Sequence, residues 1–292
     1  MRKFYIEDGA GKRYDLNNQS GDRMFFSNPT GLGISMKPSF LDLNKGFYVD
    51  VSGQAENQGS IVGDLTFTGP NAYQDYQAFT NWLTTASKLF IVYVPFGETE
   101  YYREVHVSYL TKTELTAGRW LTTPLGLSCV TPWYKAAPGT VEIAPEAGNI
   151  VRFSFTYTEG LAYASSKAGT MSAEISADGH IPAAFELAIK GPLQNPTLEL
   201  RSAAAAIVYG KCVINETISA TDTLEVSTKY GDSYVRKVAS DGTVTDLLDK
   251  VNLAFDPFPH APLGETCYIT LTADGPIETT GTIRVYYYYR SV

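Results

Sequence analysis

The residues of this chain that could do chemistry are few and scattered. Three histidines, His106, His180 and His260, lie far apart, and none has a second His, Cys or Asp at the spacing a metal site requires. His106 reads as an exposed strand residue, and His180 and His260 as loop residues beside Pro182, Pro259 and Pro262. Glu98, Glu100 and Glu104 form an acidic group that an acid–base pair would need, but on an alternating strand they read as a solvated edge. Gly9-Ala10-Gly11-Lys12-Arg13 has the glycines and lysine of a phosphate cradle at the wrong spacing, and Arg13 stands where a magnesium-holding hydroxyl belongs; a hairpin turn accounts for it. Gly126-Leu127-Ser128-Cys129-Val130 approaches a nucleophile elbow but lacks the closing glycine and reads as strand. Asp42-Leu43-Asn44-Lys45-Gly46 begins like a calcium loop without the later glutamate. Cys129, Cys212 and Cys267 are odd in number and widely spaced, which fits buried reduced thiols better than disulfides or zinc. The reading is therefore no catalytic, cofactor-binding or metal residues, and no enzyme.

The elements that would have to position such residues are almost all strands. The exception is Tyr73 to Pro95, where apolar side chains at Tyr73, Tyr76, Phe79, Trp82, Leu83 and Ala86 recur at three and four, one face of a helix near 72–87. Asn71 is placed to cap it, and the β-branched and aromatic run Leu89 to Val94 follows as a strand. Before it, Asp8-Gly9-Ala10-Gly11 turns a hairpin between Phe4-Tyr5-Ile6 and Arg13-Tyr14-Asp15-Leu16, and short strands follow at Met24–Phe26, Gly33–Met36, Gly46–Val51 and Ser60–Thr68. After it, Tyr101 to Thr113 alternates, and Arg119 to Cys129 reads as a strand pair.

A Pro, Gly, Ala and Glu-rich stretch from Ala136 to Gly148 marks a boundary, which divides the 292 residues into domains 1–136 and 137–292. The second half carries strands at Val151–Tyr157, Phe185–Ile189, Thr197–Leu200, Ile207–Tyr209, Lys211–Ile214, Thr223–Ser227, Val235–Val238, Tyr268–Thr272 and Thr282–Tyr289, with a short helical turn at Val244–Leu248. That spacing predicts a sandwich or jelly roll. The fold class is mainly β in two domains: a β-sandwich or barrel-like domain with one helix, then a sandwich or jelly roll.

Bulk properties narrow the function. Charged residues make up 18% and the net charge is −8, which argues against wrapping nucleic acid. The start, Met1-Arg2-Lys3, is followed by a run broken at Glu7-Asp8-Gly9, so no signal peptide is predicted, and no apolar run is long enough for a membrane span. Tyr, abundant at 20 residues, suits strands and wet-edged interfaces alike.

Several segments in order resemble the distal tail proteins of long non-contractile bacteriophage tails and phage-tail-like particles. They are Arg13-Tyr14-Asp15-Leu16-Asn17 with Asn28-Pro29-Thr30-Gly31-Leu32-Gly33, the helix from Tyr73 into Leu89–Pro95, Pro132-Trp133-Tyr134-Lys135, Lys190 to Leu198 around Asn195-Pro196, and Pro262 to Ile269. The resemblance implies a front domain closing into a hexameric ring at the tail tip, joining the tail tube protein to tail-associated or baseplate hub proteins. It implies a galectin-like back domain on which a receptor-binding protein docks, and a virion component assembled in the bacterial cytoplasm. DNA would be met only in passing through the channel, and a membrane not at all. The histidine, asparagine, arginine and tryptophan cluster of sugar-binding galectins has no counterpart, which argues against lectin activity. A carbohydrate-binding adhesin for cell-wall glycans stands as the alternative, and a β-sandwich glycan-degrading enzyme as a third reading.

Overall fold

The computed structural model describes residues 2–17, 23–34, 36–37, 40–42, 48–50, 55–56, 59–115, 120–145, 169–204, 207–252, 254–255 and 257–292. The expected strands at Gly33–Met36, Gly46–Val51 and Val151–Tyr157 fall partly or wholly outside these residues, as does Asp42–Gly46. The chain divides into two compact units, Met1–Lys135 with Tyr289–Val292, and Ala136–Tyr288.

The first unit contains β1 (Lys3–Asp8), β2 (Arg13–Asp15), β3 (Met24–Thr30), β4 (Met36–Lys37), β5 (Phe40–Asp42), β6 (Tyr48–Asp50), β7 (Ala55–Glu56), β8 (Ser60–Phe67), α1 (Ala72–Thr85), β9 (Leu89–Val94), β10 (Tyr101–Leu110), β11 (Leu121–Cys129) and most of β12 (Trp133–Ala136). Its main antiparallel sheet runs β2–β1–β9–β10–β11–β8–β3. A bridge from Asn17 to Phe25 and the bond from Phe26 N–H to the Leu16 carbonyl bring the sheet's two margins together, so it rolls around its own core. Alternation decides the inward face: Phe4 and Ile6 of β1, Ile61, Leu65 and Phe67 of β8, and Leu121, Leu125 and Leu127 of β11 are buried.

Helix α1 docks on that core by the stripe Ala72, Tyr76, Phe79, Trp82 and Leu83, as the three-and-four spacing predicts. Phe79 meets Phe67 at 5.8 Å and Tyr14 at 5.2 Å, and Trp82 packs on Tyr14 at 4.6 Å. The Trp82 indole N–H donates to Asp8 Oδ2 at 2.8 Å, tying the helix to the β1–β2 hairpin. Asn71 stands at the N-cap without the expected side-chain bond. The first N–H groups are instead served by turn geometry, with Ala72 N–H reaching the Gly69 carbonyl at 3.3 Å. Thr80, Thr84 and Thr85 return their hydroxyls to carbonyls one turn back, which lets a threonine-rich helix hold its polar face.

The segment Asn28 to Gly33 earns its sequence from backbone geometry. Asn28 takes φ 50° in a register shift between Ser27 and Thr30, and its amide reaches Asp64 Oδ2 at 3.1 Å. Gly31 takes φ 83° directly against the Ser60 carbonyl, where no side chain fits.

The second unit contains β13 (Val141–Pro145), β14 (Thr170–Ser176), β15 (Ile181–Lys190), β16 (Leu193–Gln194), β17 (Thr197–Ser202), β18 (Val208–Val213), β19 (Thr217–Ile218), β20 (Thr223–Lys229), β21 (Asp232–Val238), β22 (Val244–Asp246), β23 (Thr266–Thr272) and β24 (Gly281–Tyr289). One sheet runs β22–β21–β20–β15–β24–β13 and the other β18–β17–β23–β14–β13. Strand β13 gives Val141–Ile143 to the first and Ala144–Pro145 to the second, so it turns the corner between two layers. Between them lie Met171, Phe185, Leu187, Leu198, Leu200, Leu224, Val226, Ile269, Leu271 and Ile283, all nearly inaccessible. The mainly β, two-part fold, with one long helix among the described residues and a back sandwich, stands as expected.

Three local expectations are corrected. Val244–Leu248 is not a helical turn: Val244–Asp246 pairs with β21, and a short 3-10 turn lies later, at Leu248–Lys250. Ile207–Tyr209 and Lys211–Ile214 are one strand, β18, continued through Gly210 by pairing with β17. Where a strand pair is expected over 119–129, the described part is one strand, β11, at Leu121–Cys129. In each case strand pairing overrode what local composition suggested. The motif around Asn195-Pro196 is a turn: Asn195 takes φ 46°, and its amide donates to Asp274 Oδ2 at 2.7 Å.

Candidate assembly surfaces

Most of the residues first weighed for chemistry are engaged in turns, strand pairing or packing. Asp8 closes the hairpin, its Oδ1 accepting from the N–H groups of Ala10 at 3.0 Å and Lys12 at 2.9 Å, with Gly11 at φ 85°. The Trp82 indole is the main cause holding the Asp8 carboxyl below its ordinary range. His106 is exposed on β10, His180 gives its backbone N–H to the Tyr288 carbonyl at 2.8 Å, and the His260 ring stacks on Tyr230 at 4.3 Å. Ser128 shares a 2.6 Å hydrogen bond with Ser108, and Gly126 lies under the ring of Tyr109. The three thiols are free and buried, and burial pushes Cys212 up to about 12. Among the described residues, no group of three or more His, Cys, Asp or Glu is placed to hold a metal ion.

The acidic group differs from its expected solvated edge. Only Glu98 stays in solvent, at the β9–β10 turn. Glu104 is buried, its backbone N–H donating to the Thr131 hydroxyl at 3.1 Å. Glu100 is clamped by Arg13 across 87 residues of chain, with guanidinium bonds at 2.7 and 3.0 Å. The same Arg13 bonds Glu7 at 2.7 Å and the Tyr102 hydroxyl at 3.1 Å, and lies 4.9 Å over the ring of Tyr5. This plate of charge and aromatic covers the outward side of β2–β1–β9–β10. Arg13 is the chief cause of a Glu100 carboxyl held below its ordinary 4.5.

A depressed carboxylate stabilises the fold above its unfolded pKa, and that contribution is lost as pH falls through the folded value. Glu100→Gln is therefore expected to cost roughly 1 kcal/mol or less at pH 7, given its partial exposure. The variant and parent should converge when urea melts are repeated below pH 4. A gap that persists at acid pH would mean the glutamate acts by packing alone.

On the other side, β10, β11, β8 and β3 turn outward a row poor in charge: the Ser108–Ser128 pair, Tyr109, the Thr66–Thr122 pair at 3.0 Å, and Phe25 edge-on to Trp120. Phe96, at 84% relative exposure, projects from the β9–β10 turn. Sequence reasoning missed it, although a phenylalanine between Pro95 and Gly97 is a large apolar residue in a turn that no core can reach. In the second unit, the outward side of β24–β15–β20–β21 carries Arg236 4.0 Å over Tyr234 and bonded to Glu225 at 2.7 Å, Lys229 beside Glu186 at 3.4 Å, and the Tyr286 hydroxyl on Glu186. These groups satisfy one another, so a sugar would have to displace them.

The first unit is thus a rolled sheet with a docked helix, and the second a two-layer sandwich, with the polar groups described above engaged in pairs. Residues 3–130, just under half of the chain, match the family described as the distal tail protein, N-terminal domain. Its fold is shared over 100% of both chains with a chain of the phage p2 baseplate in its activated conformation, solved with Sr and with Ca, each at TM-score 0.67 and 16% identity. It is shared with the SPP1 Dit protein over 97% of this chain and 98% of that one, at TM-score 0.54 and 11% identity. No curated protein matches the sequence. The resemblance drawn from Arg13–Asn17, Asn28–Gly33 and the helix is thus borne out, as is the mainly β fold. Among the described residues no helix is long and apolar enough to cross a membrane.

Proposed function

We propose that six copies of the chain close into a ring at the tail tip, with residues 1–136 as the ring-forming domain and residues 137–292 as an outward bracket. The ring joins the tail tube protein on one side to the tail-associated or baseplate hub protein on the other, and the bracket docks a receptor-binding protein. The supporting observation is that both units together share the fold of a baseplate chain from end to end, with neither unit left over. A solved relative carries the description of a hub adsorption apparatus in phages infecting Gram-positive hosts. The working parts are then surfaces, which agrees with polar groups spent on internal pairing. DNA meets the ring only in transit, and a chain of net charge −8 gives it little to adhere to. Assembly takes place in the bacterial cytoplasm, before the particle is released.

Native mass spectrometry of the full chain should show a hexamer, alone or once the neighbouring tail proteins are added, and electron microscopy should show a hollow ring. A persistent monomer in the presence of those partners would remove the reading. Glycan binding by the full chain, abolished on substituting Tyr234 or Tyr286, would instead favour an adhesin.

A further inference from the structure

Among the described residues, two that are not glycine take a positive φ, Asn28 at 50° and Asn195 at 46°. Both stand immediately before a proline and a threonine, as Asn28-Pro29-Thr30 and Asn195-Pro196-Thr197, one in each unit. Such a φ is sparsely populated by residues with a side chain, and the following proline narrows the choice further, so each corner needs support from its surroundings. In both, the side-chain amide donates to an aspartate distant in the chain: Asn28 to Asp64 Oδ2 at 3.1 Å across 36 positions, and Asn195 to Asp274 Oδ2 at 2.7 Å across 79. Each time the aspartate belongs to the strand that pairs beside the corner, or to its direct continuation. Asp64 lies in β8 opposite Ser27, one residue before Asn28. Asp274 lies two residues beyond Thr272 of β23, whose partner is Thr197, and Asn195 lies two residues before Thr197, so the pair sits where the β17–β23 ladder would continue.

We propose that Asp64 and Asp274 are register pins: each carboxylate holds a strained Asn-Pro corner and thereby fixes which residues of two neighbouring strands face one another. A slip of one residue turns the apolar side of a strand outward, so a fold made of short antiparallel strands gains from a contact that a single register can make. At the first corner the ladder passes from Ser27 opposite Asp64 to Thr30 opposite Val62, one extra residue on β3, and the Asn28–Asp64 bond marks where that residue is accommodated. At the second, the Asn195–Asp274 bond marks where β17 begins against β23. Asparagine is suited to this position, because it tolerates a left-handed backbone better than most residues and carries an amide that a carboxylate can hold. The two corners share residue types, backbone conformation and acceptor, in sheets of different strand order.

Hydrogen exchange of the full chain, read by mass spectrometry on peptides covering β3 and β17, tests this. Asp64→Ala is expected to speed exchange of the β3–β8 amides about 5-fold, and Asp274→Ala that of the β17–β23 amides by a similar factor, each without effect on the other unit. Asp64→Asn and Asp274→Asn, which keep an acceptor oxygen, should retain most of the protection. In chains that already carry Asn28→Gly or Asn195→Gly, the matching alanine should change nothing further, since glycine takes a positive φ without help and offers no amide to hold. Losses of equal size in the asparagine and glycine backgrounds would overturn the pins, because the carboxylates would then act through something other than the corner. Exchange unchanged by the alanines in the asparagine background would overturn them as well.

Discussion

Replacing Gly31 by alanine is expected to unfold much of the first unit, while the same change at Gly33 is expected to leave it nearly untouched. Two costs fall together at Gly31. Its φ of 83° lies where a Cβ is strained, and an added Cβ would press into the Ser60 carbonyl oxygen, 2.9 Å from the carbonyl carbon. The obstacle is backbone, and it is held: Ser60 pairs with Ser128 in the β8–β11 ladder, and Thr30 pairs with Val62. Neither strand can step aside without breaking register. A loss of roughly 3 kcal/mol or more follows, at the upper end for single substitutions. A Cβ on Gly33 would meet nothing within 4 Å among the described residues, so alanine there should change stability by about 0.5 kcal/mol or less. Chemical denaturation of the two variants side by side reads the contrast. Equal, small effects at both positions would mean that the Gly31 approach is not maintained in solution.

Phe79→Ala should be the second large loss, about 3–5 kcal/mol, because it empties the centre of the helix contact. Phe79 is fully buried and touches Phe67, Tyr14 and Trp82 at once. No neighbour can close the space without releasing the Trp82–Asp8 bond that anchors the helix to the hairpin. Trp82→Phe, which keeps most of the volume and removes only the indole donor, should cost about 1 kcal/mol. Thermal melts followed by circular dichroism would separate the two. If Phe79→Ala were as mild as Trp82→Phe, the helix would be held by its threonine and hairpin bonds rather than by its aromatic stripe.

These two sites show different degrees of legibility. The stripe Tyr76, Phe79, Trp82 is visible in the sequence, because helical periodicity is a short-range property and three-and-four spacing has one economical meaning. The hairpin at Asp8–Gly11 is equally local, and so is the alternation that buries Cys267, Ile269 and Leu271 along β23. Gly31 is visible as part of a motif, but not why it must be glycine: the Ser60 carbonyl that excludes a side chain comes from 29 positions further along.

The acidic group illustrates the same boundary from the other side. Glu98, Glu100 and Glu104 look alike as residues on one alternating stretch, yet one is in solvent, one is clamped by Arg13 and one is buried. No local pattern distinguishes them, since the partner that decides Glu100 lies in β2 and reaches it only after β1 and β9 have paired between them.

By itself, then, the sequence determined the mainly β class, the helix at Ala72–Thr85 and its buried face, the hairpin, and a run of motifs resembling distal tail proteins, whose N-terminal-domain family residues 3–130 match. Tertiary structure alone decided which strands are neighbours, that Arg13 and Glu100 meet, that β18 continues through Gly210, and that Phe96 and Trp120 stand exposed. Periodicity fixes which side of an element is apolar, within a few residues of chain. Register and strand order are settled by pairings between distant segments, whose energies depend on the whole core closing at once.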